Sequence, residues 1–249
     1  MKPDISIIIP VLNESGTLQT TLESLGDPSS GKTIEIVIVD ADPDATTLAS
    51  IHLESTRRLQ LKTAISGKGR GIQMNRGAEL AAGPILLFLH ADTRLPQNAI
   101  HAIFSVLKNP SIVGGAFDLG IRSGKWGYRI IDKVATARSR ITRLPYGDPA
   151  LVIRRDSFHR IGGFAKIPIM EDVELMRRIK QRGDTIQIIG KRVQTDPRRW
   201  ERDGLVYSTL RNWVLMSLYL MGVSPSKLVR YYEKTGSKGS RVIQGVKGS

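Results

Sequence analysis

Cysteine is absent from the 249 residues, which excludes disulfide bonds and cysteine-ligated zinc. A chain without cysteine fits a reducing compartment, so we expect a cytoplasmic protein. No apolar stretch reaches the roughly 18 residues that a membrane-spanning helix needs. The N-terminus, Met1-Lys2-Pro3-Asp4, runs into a strand-like segment and lacks a signal-peptide pattern.

Aromatic residues are also scarce, at 6% of the chain, and they do not interleave with basic residues as they do in single-strand nucleic-acid grooves. Helix-turn-helix, zinc-finger and RNA-binding signatures are missing, so we predict no nucleic-acid partner. Acidic residues are outnumbered, with 23 Asp and Glu against 37 Lys and Arg and a net charge of +14. This balance predicts an anionic partner of another kind, either a membrane surface or a phosphorylated substrate.

Strand-like and helix-like patterns alternate through the first ninety residues. Apolar runs at Ile5–Ile9, Ile34–Val39, Leu61–Ala64 and Ile85–Leu89 predict four strands, and helical patterns at Thr17–Leu25, Thr46–Leu59 and Gln73–Ala82 separate them. Such alternation predicts an α/β fold with a mostly parallel central sheet flanked by helices.

The segment Pro84–Pro96 is the centre of the functional prediction. Its unbroken apolar run, Ile85–Leu89, is typical of a strand buried on both faces, and it ends at His90-Ala91-Asp92. Ligands of open α/β sheets bind at the carboxyl ends of the strands, where Asp92 would lie. Asp92 could instead be a turn or helix-capping residue.

Two other carboxylates, Glu14 and Asp40, also follow predicted strands directly. Parallel strands bring such residues to one edge of the sheet, so we expect all three to lie near each other. A glycine-rich loop, Gly67–Gly71, lacks the Walker and dinucleotide-binding patterns. Its Lys68 and Arg70 would either meet phosphates or lie in a solvated turn, and the sequence favours neither.

Four motifs together resemble family 2 glycosyltransferases, which have a GT-A fold and use nucleotide-diphosphate sugars. They read SIIIPVLNE, IVIVD, GRGIQMNRGA and ILLFLHADT, and a later MEDVEL resembles the acidic catalytic motif of that family. More narrowly, HADT and RRWERDG resemble a bacterial subgroup of arsenosugar-biosynthesis glycosyltransferases. The motifs extend from Ser6 to about Tyr232.

The resemblance implies roles for individual residues. His90-Ala91-Asp92 occupies the position of the D-x-D motif, which binds Mg²⁺ or Mn²⁺ on the donor diphosphate, so Asp92 would be a metal ligand. His90 replaces the first aspartate of that motif and is the second ligand candidate. The donor, a uridine or guanosine diphosphate sugar, would contact Pro10, Asn13, Glu14, Asp40, Arg70, Gln73, Asn75, Ala91 and Asp92.

The resemblance also implies that Asp172, beside Glu171, is the general base for an inverting transfer to an acceptor hydroxyl. The acidic cluster would equally suit the start of a helix, where carboxylates are stabilised by the helix dipole. On a helix, Glu171 and Glu174 share a face and Asp172 points about 100° away, which leaves Glu174 to pair with Arg177 or Arg178. The acceptor or the diphosphate would meet Gly115, Arg198, Arg199 and Trp200, although Trp200 could instead pack in the core.

Two further segments predict helices at a surface. Ile121–Leu144 is strongly basic with apolar residues on one side, and Leu205–Val223 is apolar but interrupted by Arg211 and Asn212. Both suit peripheral contact with an anionic membrane, on its inner face, although the first could be an ordinary core-facing helix and the second could lie under the catalytic domain. We therefore expect a catalytic domain over residues 1–204, amphipathic C-terminal helices over 205–234 and a disordered tail over 235–249.

Other functions are less compatible with the sequence. A nucleotidyltransferase would need a glycine- and lysine-rich signature after the first strand, where Val11–Glu14 stands. A non-catalytic membrane or polyanion-binding protein would explain the charge but not the strand-end acids. The sequence does not identify the acceptor, which a lipid could carry.

Overall fold

The computed structural model describes residues 1–25, 30–53, 56–123, 128 and 150–232. The strands are β1 (Ile5–Val11), β2 (Ile34–Asp40), β3 (Leu59–Ile65), β4 (Ile85–Phe88), β5 (Thr93–Arg94), β6 (Ile112–Ile121), β7 (Leu151–Arg154) and β8 (Thr185–Thr195). The helices are α1 (Ser15–Glu23), α2 (Thr46–Ala49), α3 (Arg70–Leu80), α4 (Ala99–Val106), α5 (Arg155–Ile161), α6 (Glu171–Gln181), α7 (Arg198–Asp203) and α8 (Leu205–Leu220). Residues 225–232 are also helical.

The strands form one sheet in the order β3-β2-β1-β4-β7-β6-β8-β5. The first four strands of this order are parallel to one another, as the alternating sequence pattern predicted. β7 is antiparallel to both β4 and β6, and β6 runs parallel to β8. The predicted α/β fold with a mostly parallel sheet flanked by helices is therefore confirmed.

Apolar layers cover both faces of the sheet. One layer packs α1 and α4 against residues such as Ile7, Ile36 and Leu87, and the other packs α3, α5 and α6 against Ile8 and Leu86. All residues of β1, β2 and β4 are buried, because neighbouring strands and helices enclose them. The buried strands fix the loops that follow them.

Some predicted elements were wrong in extent. The helix predicted over Thr46–Leu59 ends at Ala49, because Ile51 and Leu53 pack against the core from an irregular segment. The sheet also contains a long strand that the alternating pattern did not include, β8, which lies between β6 and β5. Ile121, the predicted start of the basic helix, lies in β6. Apart from Ile121–Ser123 and Tyr128, that helix falls outside the described residues, as does the tail after residue 232.

A buried carboxylate ties together three elements at the amino ends of the strands. Glu35 is fully buried and accepts hydrogen bonds from the Ser6 hydroxyl and from the Ala82 N–H, the latter at 2.8 Å. Lys62 Nζ lies 2.6 Å from its other oxygen. Burial raises the pKa of Glu35, but these donors outweigh burial and hold the pKa below its ordinary value of 4.5.

We expect Glu35→Gln to lower the free energy of unfolding by about 1–3 kcal/mol at neutral pH, because a buried network loses its charged acceptor. The depressed pKa means that this contribution is complete above about pH 4.5 and is lost as the pH falls through the folded-state pKa. Denaturant titrations at several pH values should therefore show wild type and variant converging in acid. A gap that widened in acid would contradict this assignment.

Candidate functional site

A cleft of about 300 Å³ opens at the carboxyl ends of β1 and β4. The end of β1 and the loop after it contribute Pro10, Val11, Leu12 and Glu14, the start of α3 contributes Gly69, Arg70 and Gln73, and the loop after β4 contributes His90, Ala91 and Asp92. Parallel pairing of β1 with β2 and β4 brings these loops to one edge. The sequence prediction that Glu14 and Asp92 lie together is confirmed.

A second, smaller cavity of about 30 Å³ adjoins the cleft, with Pro10, Arg70 and His90 lining both. Its other walls include Glu171 and Asp172 at the start of α6. Phe88 and Phe164, whose rings meet edge to face with centroids 4.8 Å apart, form an apolar side. The predicted acid pair and the predicted metal and donor residues therefore lie in adjoining cavities that share part of their walls.

Asp40 occupies a more enclosed position than the sequence suggested. It is paired in register with Val11, but it is fully buried and is not among the residues that line the cleft. Oδ1 accepts a hydrogen bond of 2.9 Å from the Asp42 N–H. Within the described part of the chain, Oδ2 has no hydrogen-bond partner, which marks it as an acceptor whose donor is still to be identified.

Gln73 and Asn75 hold the cleft together through backbone contacts. Gln73 Nε2 donates to the carbonyls of Val11 at 2.8 Å and Val39 at 2.9 Å, so it joins α3 to β1 and β2. Asn75 accepts from the Phe164 N–H at 2.9 Å and donates to the Phe164 carbonyl at 2.8 Å. Asn75 lines neither cavity, whereas Gln73 also faces the cleft.

Arg178 fastens α6 to the same loop that Asn75 holds. It forms a bidentate ion pair with Glu174 at 2.6 and 2.7 Å, so Arg178 is the observed one of the two predicted partners of Glu174. Its guanidinium also donates to the carbonyls of Ile161 and Gly163, each at 2.6 Å. Gly163 has a φ of 68°, and a side chain there would lie 2.7 Å from Asn75 Oδ1. Together these contacts fix the loop that leads into the acid pair, and only the Glu174 pairing was indicated by a local sequence pattern.

The C-terminal basic residues are only partly placed in the cleft. Arg198 reaches Glu14 at 3.5 Å and Asp196 at 3.3 Å, and Asp196 in turn donates its N–H to the Asp92 carbonyl at 3.1 Å. The Arg199 side chain is outside the described set. Trp200 is buried against Ile121, Tyr128 and Leu205, which matches the core-packing alternative.

Two further predicted residues lie away from the cavities. Asn13 is exposed with a φ of 57°, a conformation that asparagine tolerates. Gly115 lies within β6, where a side chain would come within 2.8 Å of the Gln187 carbonyl. The absence of a side chain at Gly115 thus permits close approach of another strand. Neither residue lines the cleft or the small cavity, and their predicted ligand contacts stay predictions.

The residues at the end of β4 fit a divalent cation that is also bound by a ligand. Among the described residues, no group of three or more His, Asp or Glu side chains could hold a metal by itself. Asp92 and His90 line the same cleft, and oxygens of a diphosphate would have to complete the coordination. One carboxylate plus phosphate oxygens is a common donor set for Mg²⁺, while an imidazole suits Mn²⁺ better.

With this geometry, the protein has an α/β fold with a candidate ligand site at the carboxyl edge of its sheet. The chain belongs to glycosyl transferase family 2, whose model matches residues 6–167. The resemblance drawn from the sequence motifs is confirmed at this level. The match ends before Glu171, so the acid pair is supported by its position in the small cavity and not by the family match.

Curated relatives match only parts of this chain. A dolichol-phosphate mannosyltransferase of Pyrococcus furiosus is 28% identical over 178 residues, which are 69% of this chain and 48% of that protein. A PGL/p-HBAD biosynthesis glycosyltransferase of Mycobacterium bovis is 37% identical over 95 residues, which are 37% of each chain. The chain thus spans about half or less of the length of these relatives. The narrower resemblance to arsenosugar-biosynthesis enzymes stays a prediction.

Solved structures share the fold. The mannosyltransferase PcManGT of Pyrobaculum calidifontis, in complex with GDP-Man and Mn²⁺, has a TM-score of 0.65 at 17% identity and covers 100% of this chain and 77% of its own. S. aureus TarS 1-349 in complex with UDP has a TM-score of 0.59 at 16% identity and covers 77% of this chain and 60% of its own. These likenesses confirm the GT-A fold.

Removing the Asn75 side chain should destabilise the loop before α6. Asn75→Ala leaves the N–H and carbonyl of Phe164 without their partners, so we expect a loss of about 2–4 kcal/mol in the free energy of unfolding. Asn75→Asp keeps the acceptor and should lose less. Denaturant titration and hydrogen exchange at the Phe164 amide would measure both effects. Unchanged stability with weaker nucleotide binding would instead support the donor contact predicted from the motif.

Proposed function

We propose that this protein is a metal-dependent, inverting glycosyltransferase that moves a sugar from a nucleotide-diphosphate donor to an acceptor hydroxyl. The observation that carries the proposal is the adjacency of the two cavities, one with Asp92 and Glu14 and the other with Asp172, across Pro10, Arg70 and His90. A donor diphosphate in the first would place its sugar toward the second. We also propose that the protein acts in the cytoplasm, as the lack of cysteine favours.

The donor would lie between the loops after β1 and β4. Pro10 and Glu14, which line the cleft, are proposed to hold the base and ribose. Backbone N–H groups at the start of α3, together with the exposed Arg70, would favour the diphosphate. The donors bound by the structural relatives, GDP-Man and UDP, support a guanosine or uridine diphosphate sugar.

Asp92, with His90 beside it, would hold Mg²⁺ or Mn²⁺ against the diphosphate. Such an ion supplies positive charge that stabilises the leaving diphosphate without a proton. Arg198 is also within 3.5 Å of Glu14, so its guanidinium is available at the entrance of the cleft. Because the ion stabilises the leaving diphosphate, the reaction does not need a second carboxylic acid to protonate the leaving group, as a glycosidase does.

Asp172 is the proposed general base. Its carboxylate would accept the proton of the acceptor hydroxyl as that oxygen forms a bond to the anomeric carbon. The bond from this carbon to the diphosphate oxygen breaks with its electron pair on the diphosphate, and attack from the opposite face inverts the configuration. Glu171, which is buried beside Asp172, is proposed to keep the start of α6 in position.

A nucleotide panel tests the proposal most directly. We expect UDP or GDP to raise the melting temperature in the presence of Mn²⁺ and to have a much smaller effect after chelation, because only the folded protein binds the nucleotide. CDP and ADP serve as controls for base selectivity. No response to any nucleotide with metal would reject a nucleotide-sugar enzyme and favour the non-catalytic polyanion-binding alternative.

A further inference from the structure

The helix α8 exposes an apolar face to solvent. Val206 is 69% exposed, Leu210 60% and, directly after the helix, Met221 72%. Further large apolar residues of the same face are Trp213, Val214 and Leu220. Val206, Leu210 and Trp213 are spaced three or four residues apart and lie along one side of the helix, and Leu220 and Met221 continue this side one turn beyond the exposed Ser217.

The opposite side of α8 is anchored to the protein, which fixes the direction of the apolar face. Buried Arg211 forms an ion pair with Asp203 at 3.1 Å and lies 4.5 Å above the ring of Tyr232. Ser208, Leu215 and Met216 are also buried on this side. These contacts hold the apolar face toward solvent, and a partner could bind that face without breaking them.

Basic residues flank the apolar face. Arg202 precedes α8 with a side chain that is 69% exposed, and the exposed Lys227 and Arg230 follow it. The sequence beyond residue 232 adds Lys234, Lys238, Arg241 and Lys247 against the single acid Glu233. An apolar stripe that contains a tryptophan and is bordered by positive charge is the combination that binds the interface of an anionic bilayer.

The length of α8 suits the surface of a membrane rather than its interior. Sixteen residues rise about 24 Å, which is less than the hydrocarbon thickness. Among the helices that the structure describes, none has both the length and the hydropathy of a membrane span. The helix would therefore lie in the interfacial plane with Trp213 and Leu210 among the acyl chains.

We propose that the apolar face of α8 docks on a membrane surface rich in anionic lipid. Docking would hold the protein at the headgroups, where a lipid-borne acceptor hydroxyl would be available. Binding itself requires neither donor nor metal, so it can be tested apart from the proposed transfer.

Flotation with vesicles tests the docking. We expect the protein to float with phosphatidylglycerol–phosphatidylcholine vesicles, and much less with pure phosphatidylcholine vesicles or at 1 M salt. Leu210→Glu should weaken binding to the anionic vesicles by about tenfold or more. The variant lacks the leucine that would be buried in the bilayer and carries a negative charge that the anionic lipids repel. Gln181→Glu adds the same charge at an exposed position of α6 and should bind as wild type.

Two further results separate the apolar face from simple charge attraction and from self-association. Leu210→Lys gains positive charge, so binding as tight as wild type would overturn the role of the apolar face. Trp213 fluorescence should shift to the blue on anionic vesicles. Equal flotation with neutral vesicles, absence of flotation, or a dimer that Leu210→Glu dissociates without any lipid binding in the wild type would each overturn the proposal.

Discussion

Asp172→Asn should lower turnover by a factor of about a hundred to ten thousand, which is the usual value of a positioned general base. The loss should fall on the rate, because Asp172 lines the small cavity and is not among the residues of the larger cleft. Nucleotide and metal binding should stay as in wild type. The measurement is release of nucleoside diphosphate in the presence of the true acceptor, alongside a nucleotide titration.

Glu174→Gln is the matched control, because it removes a carboxylate two residues away on the same helix. Glu174 is engaged by Arg178, so its loss should reduce stability while turnover falls far less. Asp172→Asn with normal turnover would assign the acidic cluster to capping of α6. Loss of donor binding rather than of rate would also remove Asp172 from the role of base.

Asp92→Asn should remove the metal dependence of nucleotide binding. Even residues that only orient a metal ligand typically change metal affinity by 10–100-fold, so we expect an effect of about a hundredfold or more for a direct ligand. The amide can still accept the 3.2 Å hydrogen bond from the Thr93 hydroxyl, so the fold should be preserved. Calorimetric titration of the nucleotide with and without Mn²⁺ would measure the change.

His90→Ala separates a ligand from a shape-determining residue. An effect as large as that of Asp92→Asn would identify the imidazole as a second ligand, while a small effect would leave His90 as a wall of the two cavities. The prediction for Asp92 fails if Mn²⁺ still strengthens nucleotide binding in the Asn variant to the wild-type degree. Activity is not needed for either reading.

The central strands could be predicted because their sequence pattern is also their physical cause. β1, β2 and β4 are mostly apolar since both faces are covered, and the acids at or after their ends reach one edge through parallel pairing. Glu14 and Asp92 were therefore located correctly at the cleft.

Contacts between residues that are far apart in the chain could not be predicted from the sequence. The Asn75 amide holds the backbone of Phe164, 89 residues away, and no local spacing encodes such a pair. Gly190 lies where the register of β6 and β8 shifts, so it is part of a bulge within a long strand, and no local pattern indicated this irregularity. Trp200 was a candidate for contact with the acceptor or the diphosphate, but it is buried among apolar neighbours.

The position of β8 has a practical consequence for expression of shortened forms. The family match ends at residue 167, yet β6 pairs along nearly its whole length with β8, which begins only at Thr185. A fragment cut at the end of the match would expose the unpaired hydrogen-bonding groups of a long, buried strand, and such edges recruit other chains. We expect that fragment to aggregate, and a fragment that retains β8 to keep this edge of β6 covered.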